Sequence, residues 1–433
     1  MSEDSEDLAA RLRRWRHDLH QIPETGLQEH RTSDYLAAQL QAMGLEVTRG
    51  IGGTGLVATL CRGNDAGHGH RGGRRDGHLD AHSGGSAADH AIALRADMDG
   101  LPLTERGDRP YRSRHDGVMH ACGHDGHMAM VLGAGHVLAA EGGFTGTVYL
   151  VFQPAEEHGL GAKAMLADGL FQRFPVEAIF GLHNMPGHPT GRISTRVGGL
   201  MAAEDNFEIR IIGRGGHAAR PQMVIDPIVV AAEVVLALQT IVARNLDPTD
   251  PAVVSCTEIT TDGVRNAIPG QAVIRGDTRS FTPHVQALLE RRIREIAEGI
   301  SAAHGATCQV TYTHEFEPTV NDPAATALAV AAARLTIADD RVDPDTAPWT
   351  ASEDFGAFLR EVPGCFALLG NGEALGAGGT PLHSPDYDFN DDALETGVAY
   401  HVNLIRTALP SGPRTAPPLP DHQPLHPDTG YVS

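Results

Sequence analysis

The chain has 433 residues, of which 41% are hydrophobic, so it is long enough for two domains with packed cores. Its formal net charge of −21 argues against nucleic acid or an anionic membrane as the main partner. No apolar run reaches about eighteen residues and the first residues are polar and acidic, so we expect neither a membrane span nor a secretory signal. The five cysteines are scattered and odd in number, which favours a reducing cytoplasm over a disulfide framework.

The first part of the chain alternates between helical and strand-like patterns. Amphipathic helices are predicted from residue 8 to Pro23, which ends the first, and over residues 32–43. A third helical stripe covers residues 128–138. Four apolar runs without polar alternation are typical of parallel strands covered on both faces, and they lie at residues 56–60, 91–96, 148–152 and 178–182. This alternation predicts an α/β layered sheet.

A different pattern follows from residue 193 to residue 313. Its order is strand, helix, strand, strand, helix, strand, which is that of the ferredoxin-like fold. The predicted elements are strands at 207–212, 253–259, 272–277 and 308–313, with helices at 227–243 and 285–304. We therefore expect an α+β satellite domain at 193–313, inserted into a catalytic domain formed by 1–192 and 314–409.

Two further stretches lack a core-forming pattern. Residues 410–433 are rich in proline and are expected to be a disordered tail. Residues 64–89 are rich in glycine and histidine and lie between two predicted strands. This insert is a passive surface loop, a metal-handling tract or a lid, and its composition favours the passive loop.

Ionisable residues stand where the apolar runs of the catalytic domain end. The run at 91–96 is followed by Asp99, and the run at 148–152 leads into Glu156 and Glu157. The run at 178–182 is followed by His183. Because ligands bind beyond the carboxyl ends of strands in open α/β sheets, we expect these side chains to converge on one site.

A fourth group lies just before the helix at 128–138. Cys122 and His124 flank Gly123, and glycine permits the turn that lets two such side chains approach one ion. Thiolate, imidazole and carboxylate ligands together suit zinc and its first-row neighbours. Alone, each residue has a commoner structural role, because the chain has 24 histidines and a single cysteine is usually a small buried hydrophobe. Their joint placement favours a metal site.

Signatures of other chemistries are misplaced or missing from the sequence. Residues 67–72 match the dinucleotide-binding glycine pattern, but they lie in the glycine- and histidine-rich insert and open no helix. The sequence contains no phosphate-loop, nucleophile-elbow, Cys-x-x-Cys or His-Glu-x-x-His motif. A serine or cysteine nucleophile therefore has no support.

Eight blocks of the sequence, in order, resemble those of a known family, the dinuclear-metal amidohydrolases that include hippurate hydrolases, bacterial aminoacylases and plant auxin-conjugate hydrolases. The blocks are residues 95–102, 120–125, 153–157, 181–186, 213–221, 266–269, 352–355 and 382–385. The resemblance covers nearly the whole chain, from about residue 12 to residue 409. It implies a metallopeptidase-type domain with a ferredoxin-like satellite, and a homodimer.

The resemblance also implies a set of metal ligands for two divalent ions, of zinc, manganese, cobalt or nickel. The implied ligands are Cys122, His124, Glu157, His183 and His383. Related peptidases carry a ligating histidine where Asp97 stands here. Asp99 is therefore expected to orient a ligand.

Further roles follow from the same resemblance. Glu156 would be the general base, and His217 of the satellite domain would reach the active site of the partner subunit. Asn266 and Arg279 would hold the acyl or carboxylate end of a small-molecule substrate.

The implied reaction is hydrolysis of the amide bond of an N-acyl amino acid by metal-activated water. A carboxypeptidase or dipeptidase with the same site remains an alternative that the sequence does not separate. A metal-storing or regulatory protein is a second alternative, and a scaffold is a third. A base such as Glu156 beside a full ligand set argues against storage, and a scaffold leaves the clustered ionisable residues unexplained.

Overall fold

The computed structural model of the protein describes residues 7–63 and 90–412. The predicted insert at 64–89 and residues 413–433 of the predicted tail lie outside the described residues. The described chain forms two compact units. The first unit comprises 7–63, 90–197, 321–346 and 361–412, and the second comprises 198–320 and 347–360.

The helices and strands occur in the following order, with the second unit beginning at β7. The elements before it are α1 (Leu8–His20), α2 (His30–Ala42), β1 (Glu46–Ile51), β2 (Gly55–Arg62), β3 (Ala91–Asp97), α3 (His124–Glu141), β4 (Gly146–Gln153), α4 (Gly161–Ala167), α5 (Leu170–Arg173), β5 (Ala178–Pro186) and β6 (Ile193–Ser194). The following elements are β7 (Gly198–Met201), β8 (Ala203–Ile212), β9 (Gly216–His217), α6 (Pro227–Leu238), α7 (Thr240–Arg244), β10 (Ala252–Thr261), β11 (Ala267–Ile268), β12 (Gln271–Ser280), α8 (Pro283–Ala303) and β13 (Thr307–Phe316). The last are β14 (Thr319–Asn321), α9 (Pro323–Thr336), β15 (Val342–Asp343), α10 (Gly356–Leu359), β16 (Gly364–Gly372) and α11 (Leu394–Ala408).

The first unit is built on an eight-stranded mixed sheet with the order β1-β2-β4-β3-β5-β16-β6-β15. Its central strands β4, β3, β5 and β16 run parallel. All residues of β3 and β16 are buried, which explains why these strands read as apolar runs without alternation. Residues of α1, α3, α9 and α11 share one hydrophobic core with the sheet. The prediction of an α/β layered sheet is confirmed.

Two element boundaries near the candidate ligands differ from those predicted. The helix expected at 128–138 begins at His124, so His124 and Asp125 lie in its first turn. The first turn of this helix contains polar residues, so the apolar stripe used to predict the helix begins only after it. Strand β5 continues to Pro186, so His183 lies within the strand rather than after it.

The second unit contains a four-stranded antiparallel sheet with the order β10-β12-β8-β13. Helices α6 and α8 pack apolar side chains such as Val234 and Leu289 into one core with this sheet. The helix expected at 227–243 is divided at Gln239 into α6 and α7. The strand order is that of a ferredoxin-like fold, as the sequence predicts.

The second unit also includes residues 347–360, which the sequence analysis assigned to the catalytic domain. Within the described ranges, no helix combines the length and the apolar character that a membrane crossing requires.

Candidate metal centre

The turn before α3 positions the first two candidate ligands. Gly123 has a φ of 92°, and a Cβ at this position would lie 2.2 Å from the Asn184 side-chain oxygen, so the turn requires glycine. His124 Nδ1 donates a hydrogen bond to the carbonyl oxygen of Asp99 at 2.9 Å. Its Nε2 is buried and has no hydrogen-bond partner among the described residues. A buried imidazole nitrogen without a hydrogen-bond partner, on a ring whose other nitrogen donates to a carbonyl oxygen, is suited to bind a metal ion.

His183 of strand β5 is held in the same way. Its Nδ1 donates to the carbonyl oxygen of Asn184 at 2.7 Å, and its Nε2 lies 3.6 Å from Cys122 Sγ. In proteins, a metal-binding histidine usually donates its other ring N–H to a carbonyl or carboxylate oxygen, which fixes the tautomer. Both histidines fit this rule.

The paired glutamates follow strand β4 on a short 3-10 turn. Glu157 Oε2 lies 3.3 Å from His383 Nε2, and its Oε1 lies 3.9 Å from His124 Nε2. The Glu157 N–H donates to Asp99 Oδ2 at 3.1 Å. Glu156 is buried, with its Oε2 3.9 Å from His124 Nε2. The turn therefore brings both carboxylates to the histidines.

His383 comes from the C-terminal part of the first unit. Its φ is 60°, in the left-handed region, and its N–H donates to the carbonyl oxygen of Ala121 at 2.8 Å. This bond ties the segment to the residue before Cys122. The ligand atoms of Cys122, Glu157 and His383 lie within 4.8 Å of one another, and so do those of His124, Glu156 and Glu157. Glu157 thus belongs to both groups.

The electrostatics of these groups favour a cation. Burial lowers the pKa of His124, but Asp97 and Asp99 outweigh burial and raise the pKa to about 10. Burial, with His127 nearby, holds the pKa of His183 well below its ordinary value, so this ring stays neutral. Burial would raise the pKa of Glu157, but His383 and His124 lower it. The Glu157 carboxylate therefore stays ionised and the surroundings of His124 stabilise positive charge, so the residues present fit a divalent cation.

A second layer of polar residues supports the ligands and was not singled out from the sequence. His127 Nδ1 donates to Asp97 Oδ1 at 2.6 Å, and its Nε2 accepts the Asn184 backbone N–H at 3.0 Å. The ring of His127 lies 4.4 Å from that of His183, centroid to centroid. The spacing of His124 and His127 on one helix face could have indicated this role if the start of α3 had been placed correctly.

A buried ion cluster joins α1 to the metal-binding loop. Arg16 is fully buried, and its guanidinium lies 3.3 Å from Asp125, next to His124, and 2.9 Å from both Asp388 and Asp391. His20 Nδ1 donates to the same Asp125 carboxylate at 2.8 Å. This cluster was not predicted from the sequence, because the prediction of α1 used only the spacing of its apolar residues.

The second unit holds the three remaining candidate residues. His217 on β9 and Asn266 next to β11 are exposed neighbours, because β9 pairs with β11 and the Ala218 N–H donates to the Asn266 carbonyl oxygen. Arg279 lies near the other end of β12, roughly 27 Å along the strand from Gln271.

Two carboxylates already engage the Arg279 guanidinium. The guanidinium lies 2.7 Å from Glu204 and 3.1 Å from Asp277, and it donates to the Ser352 hydroxyl at 2.6 Å. The structure brings His217 and Asn266 together and places Arg279 apart from them within the unit.

Residues 93–407 match the family described as Peptidase family M20/M25/M40. A hippurate hydrolase of Campylobacter jejuni is 36% identical over 92% of this chain and 96% of its own length. An N-acetyl-L-cysteine deacetylase of Bacillus subtilis is 36% identical over 88% of this chain and 83% of its own length. Thermostable carboxypeptidase 2 of Saccharolobus solfataricus is 34% identical over 92% of this chain and 95% of its own length.

A solved structure agrees with these relatives. The Bacillus subtilis YXEP protein, described as a dinuclear metal binding peptidase from the M20 family, superposes with a TM-score of 0.75 at 31% identity over 93% of this chain and 98% of its own. The chain therefore belongs to peptidase family M20/M25/M40. Within that family it is a metal-dependent amidohydrolase, as the sequence resemblance implied.

Proposed function

We propose that the protein hydrolyses the amide bond of N-acyl amino acids, with hippurate and N-acetyl amino acids as representative substrates. The observation that carries the proposal is the pair Glu156 and Glu157. Glu157 is grouped with Cys122 and His383 and also with His124, whereas Glu156 shares with these candidate ligands the group that contains His124 and Glu157. Adjacent carboxylates placed in this way can divide the work of binding metal and moving a proton.

Two divalent ions would be held by the five candidate ligands, Cys122, His124, Glu157, His183 and His383. Bound there, such ions supply Lewis-acid activation of a water molecule and of the amide carbonyl group. The mixture of thiolate, imidazole and carboxylate favours zinc, manganese, cobalt or nickel over magnesium or calcium. Asp99 orients His124 and Glu157 through its carbonyl and carboxylate oxygens.

Glu156 acts as the general base in this proposal. It takes the proton of the attacking water and passes it to the nitrogen of the leaving amine, so the Glu156 carboxylate is regenerated at the end of the reaction. His217 of the partner subunit donates a hydrogen bond to the amide oxygen as negative charge develops there. Asn266, beside His217, holds the acyl or carboxylate end of the substrate. Arg279 is a further candidate for this role, although it lies apart from both and is paired with Glu204 and Asp277.

A carboxypeptidase function is the second candidate, and the relative from Saccharolobus solfataricus favours it. The same ligands and base would serve a peptide substrate, because the bond broken is an amide in both cases. The two functions differ in the group on the acyl side, which is a simple acyl group for one and a peptide for the other.

The proposed assembly is a homodimer formed through the second unit. Strand β10 is an edge of its sheet and exposes Ile259, and α6 exposes Leu236. An unpaired edge strand beside exposed apolar side chains is typical of a protein–protein interface. We also propose a cytoplasmic location, because Cys122 must remain a reduced thiolate to bind metal.

A metal-stripped sample tests the reaction class. The protein is assayed with hippurate, several N-acetyl amino acids and peptides, with and without zinc, manganese, cobalt or nickel. Metal-dependent release of the amino acid from hippurate or N-acetyl substrates is expected. Faster cleavage of peptides than of any acylated amino acid would instead favour the carboxypeptidase. Cleavage of neither class, with metal bound, would refute the proposed function.

A further inference from the structure

Glu29 has an unusual position for an acidic residue. It is fully buried, and it precedes helix α2 at the N-cap position, where a short polar side chain such as that of Asp or Ser usually accepts a backbone N–H of its own helix. The Glu29 side chain makes no such bond to α2. Burying a carboxylate is unfavourable unless it is hydrogen-bonded, so its contacts elsewhere are informative.

Those contacts lead to the turn that carries the paired glutamates. Glu29 Oε1 accepts the Ala155 backbone N–H at 2.8 Å, and Oε2 accepts the hydroxyl of Thr54. Ala155 immediately precedes Glu156. Its backbone is in the left-handed region, with φ 49° and ψ 42°, which an alanine adopts only when its surroundings impose it.

The segment around Glu29 also packs tightly against the same turn. A Cβ at Gly26 would lie 2.9 Å from the Ala155 Cβ and 3.0 Å from its Cα. The turn is therefore held from one side by the Gly26 backbone and at its amide by the Glu29 carboxylate. Leu27 itself has a φ of 63°, so strained backbone lies on both sides of this contact.

We propose that Glu29 is a positioning residue for the general base: by fixing the Ala155 amide, it aims the Glu156 side chain at the site. This inference rests on the proposed function of Glu156. Glu157 has its own support, because its N–H donates to Asp99 Oδ2. The turn is thus held at two backbone amides, that of Ala155 by Glu29 and that of Glu157 by Asp99. Loss of the Glu29 carboxylate would release the amide next to Glu156, while the candidate ligand Glu157 would keep its hydrogen bond to Asp99.

The test compares three variants in the full-length, metal-loaded protein. Glu29→Leu removes the acceptor at nearly constant volume. Glu29→Gln keeps one, because its amide oxygen can accept the Ala155 N–H while its NH₂ donates to Thr54. Leu40→Ala, a buried change in the same helix α2, serves as the control for general loss of stability.

We expect Glu29→Leu to lower kcat about tenfold to a hundredfold, as a misplaced catalytic group does, with KM changed by less than about threefold. Glu29→Gln should recover most of kcat, and Leu40→Ala should keep it at temperatures where it is folded. Metal affinity, measured by competition with a chelator, should fall by less than about threefold in Glu29→Leu. Amide hydrogen exchange should show faster exchange at residues 155–157 in Glu29→Leu alone.

Several results would overturn the inference. They are an unchanged kcat in Glu29→Leu, an equal loss in Glu29→Gln, or a fall in metal affinity that parallels the fall in kcat. The exchange measurement does not depend on turnover, so it separates this inference from the proposed function. If the wild-type protein cleaves no amide, the proposed function fails, and unchanged exchange at 155–157 in Glu29→Leu would show that the anchoring by Glu29 is also wrong.

Discussion

Three residues other than glycine have left-handed backbone conformations in the described part of the chain: Leu27, Ala155 and His383. Ala155 and His383 carry or adjoin candidate catalytic and ligand side chains. Such conformations cost about 1–3 kcal/mol each and concentrate at functional sites. Sequence gives no sign of them, because alanine, leucine and histidine normally avoid positive φ. The sequence resemblance names the candidate ligands, but it does not predict the backbone strain beside them.

The division of labour between the glutamates is testable at single residues. Glu156→Gln should retain bound metal and lose about a hundredfold to ten-thousandfold in kcat, the usual contribution of a general base. Glu157→Ala should weaken metal binding, because it removes a side chain that belongs to both ligand groups. Metal content after dialysis and steady-state kinetics distinguish the two. A Glu156→Gln enzyme with most of its activity would mean that another group moves the proton.

At the scale of elements, helix α1 buries charged side chains that its apolar pattern does not predict. The spacing of Leu12, Trp15 and Leu19 predicts a buried face, and all three are buried. Arg16 and His20 are buried on the same helix and bind Asp125 in the first turn of α3. Their partners lie more than a hundred residues away in sequence, so no local pattern announces the contact. The helix was predictable, but its link to the metal-binding loop was not.

This link should make stability depend on pH. Burial lowers the pKa of His20, but Asp125 and Glu105 outweigh burial and raise the pKa from 6.5 to about 9. Because the folded-state pKa lies above the unfolded one, the stabilisation is complete below pH 6.5 and is lost as the pH rises through about 9. The difference in unfolding free energy between wild type and His20→Gln should therefore shrink across this window, by up to about 1.4 kcal/mol per pH unit.

His401 provides the matched control for the pH measurement. It is buried, and burial lowers its pKa to about 3, so it stays neutral over the same window. The effect of His401→Gln on the unfolding free energy should be the same at pH 6.5 and pH 9. An effect of His20→Gln that is equally constant would show that His20 carries no extra proton in the folded protein.

For the molecule as a whole, the sequence predicted the architecture well, because strand runs and helical stripes repeat in the orders of known folds. The candidate ligands could be named because strand ends in a parallel sheet converge, and because the blocks resemble those of a family. Glu29 and His127 escaped both approaches, and Asn184, although it lies in the block 181–186, was given no role. Each acts through a contact with a residue distant in sequence, and such contacts require the folded chain.

The proposed dimer is also tested at this scale. Ile259→Lys places a charge on the exposed edge strand β10 and should convert the dimer to a monomer, measured by light scattering. Thr311→Lys on β13, the opposite edge of the same sheet, is the control and should leave the mass unchanged. If His217 acts in the active site of the partner subunit, the turnover of Ile259→Lys should decrease as the fraction of dimer decreases. A monomeric wild-type protein would contradict the proposal.

The insertion of the second unit has a consequence for synthesis of the chain on the ribosome. Strands β8 to β13 pair with one another and emerge as a complete set, whereas β16, which lies beside β5 in the central sheet, emerges only after them. Until then, β5 presents an open, apolar edge, which is the kind of surface that binds other unfinished chains. His383 is translated later still. Premature termination just before residue 364 should therefore yield a product that aggregates and binds metal more weakly, because it lacks His383, even though its ferredoxin-like unit can fold.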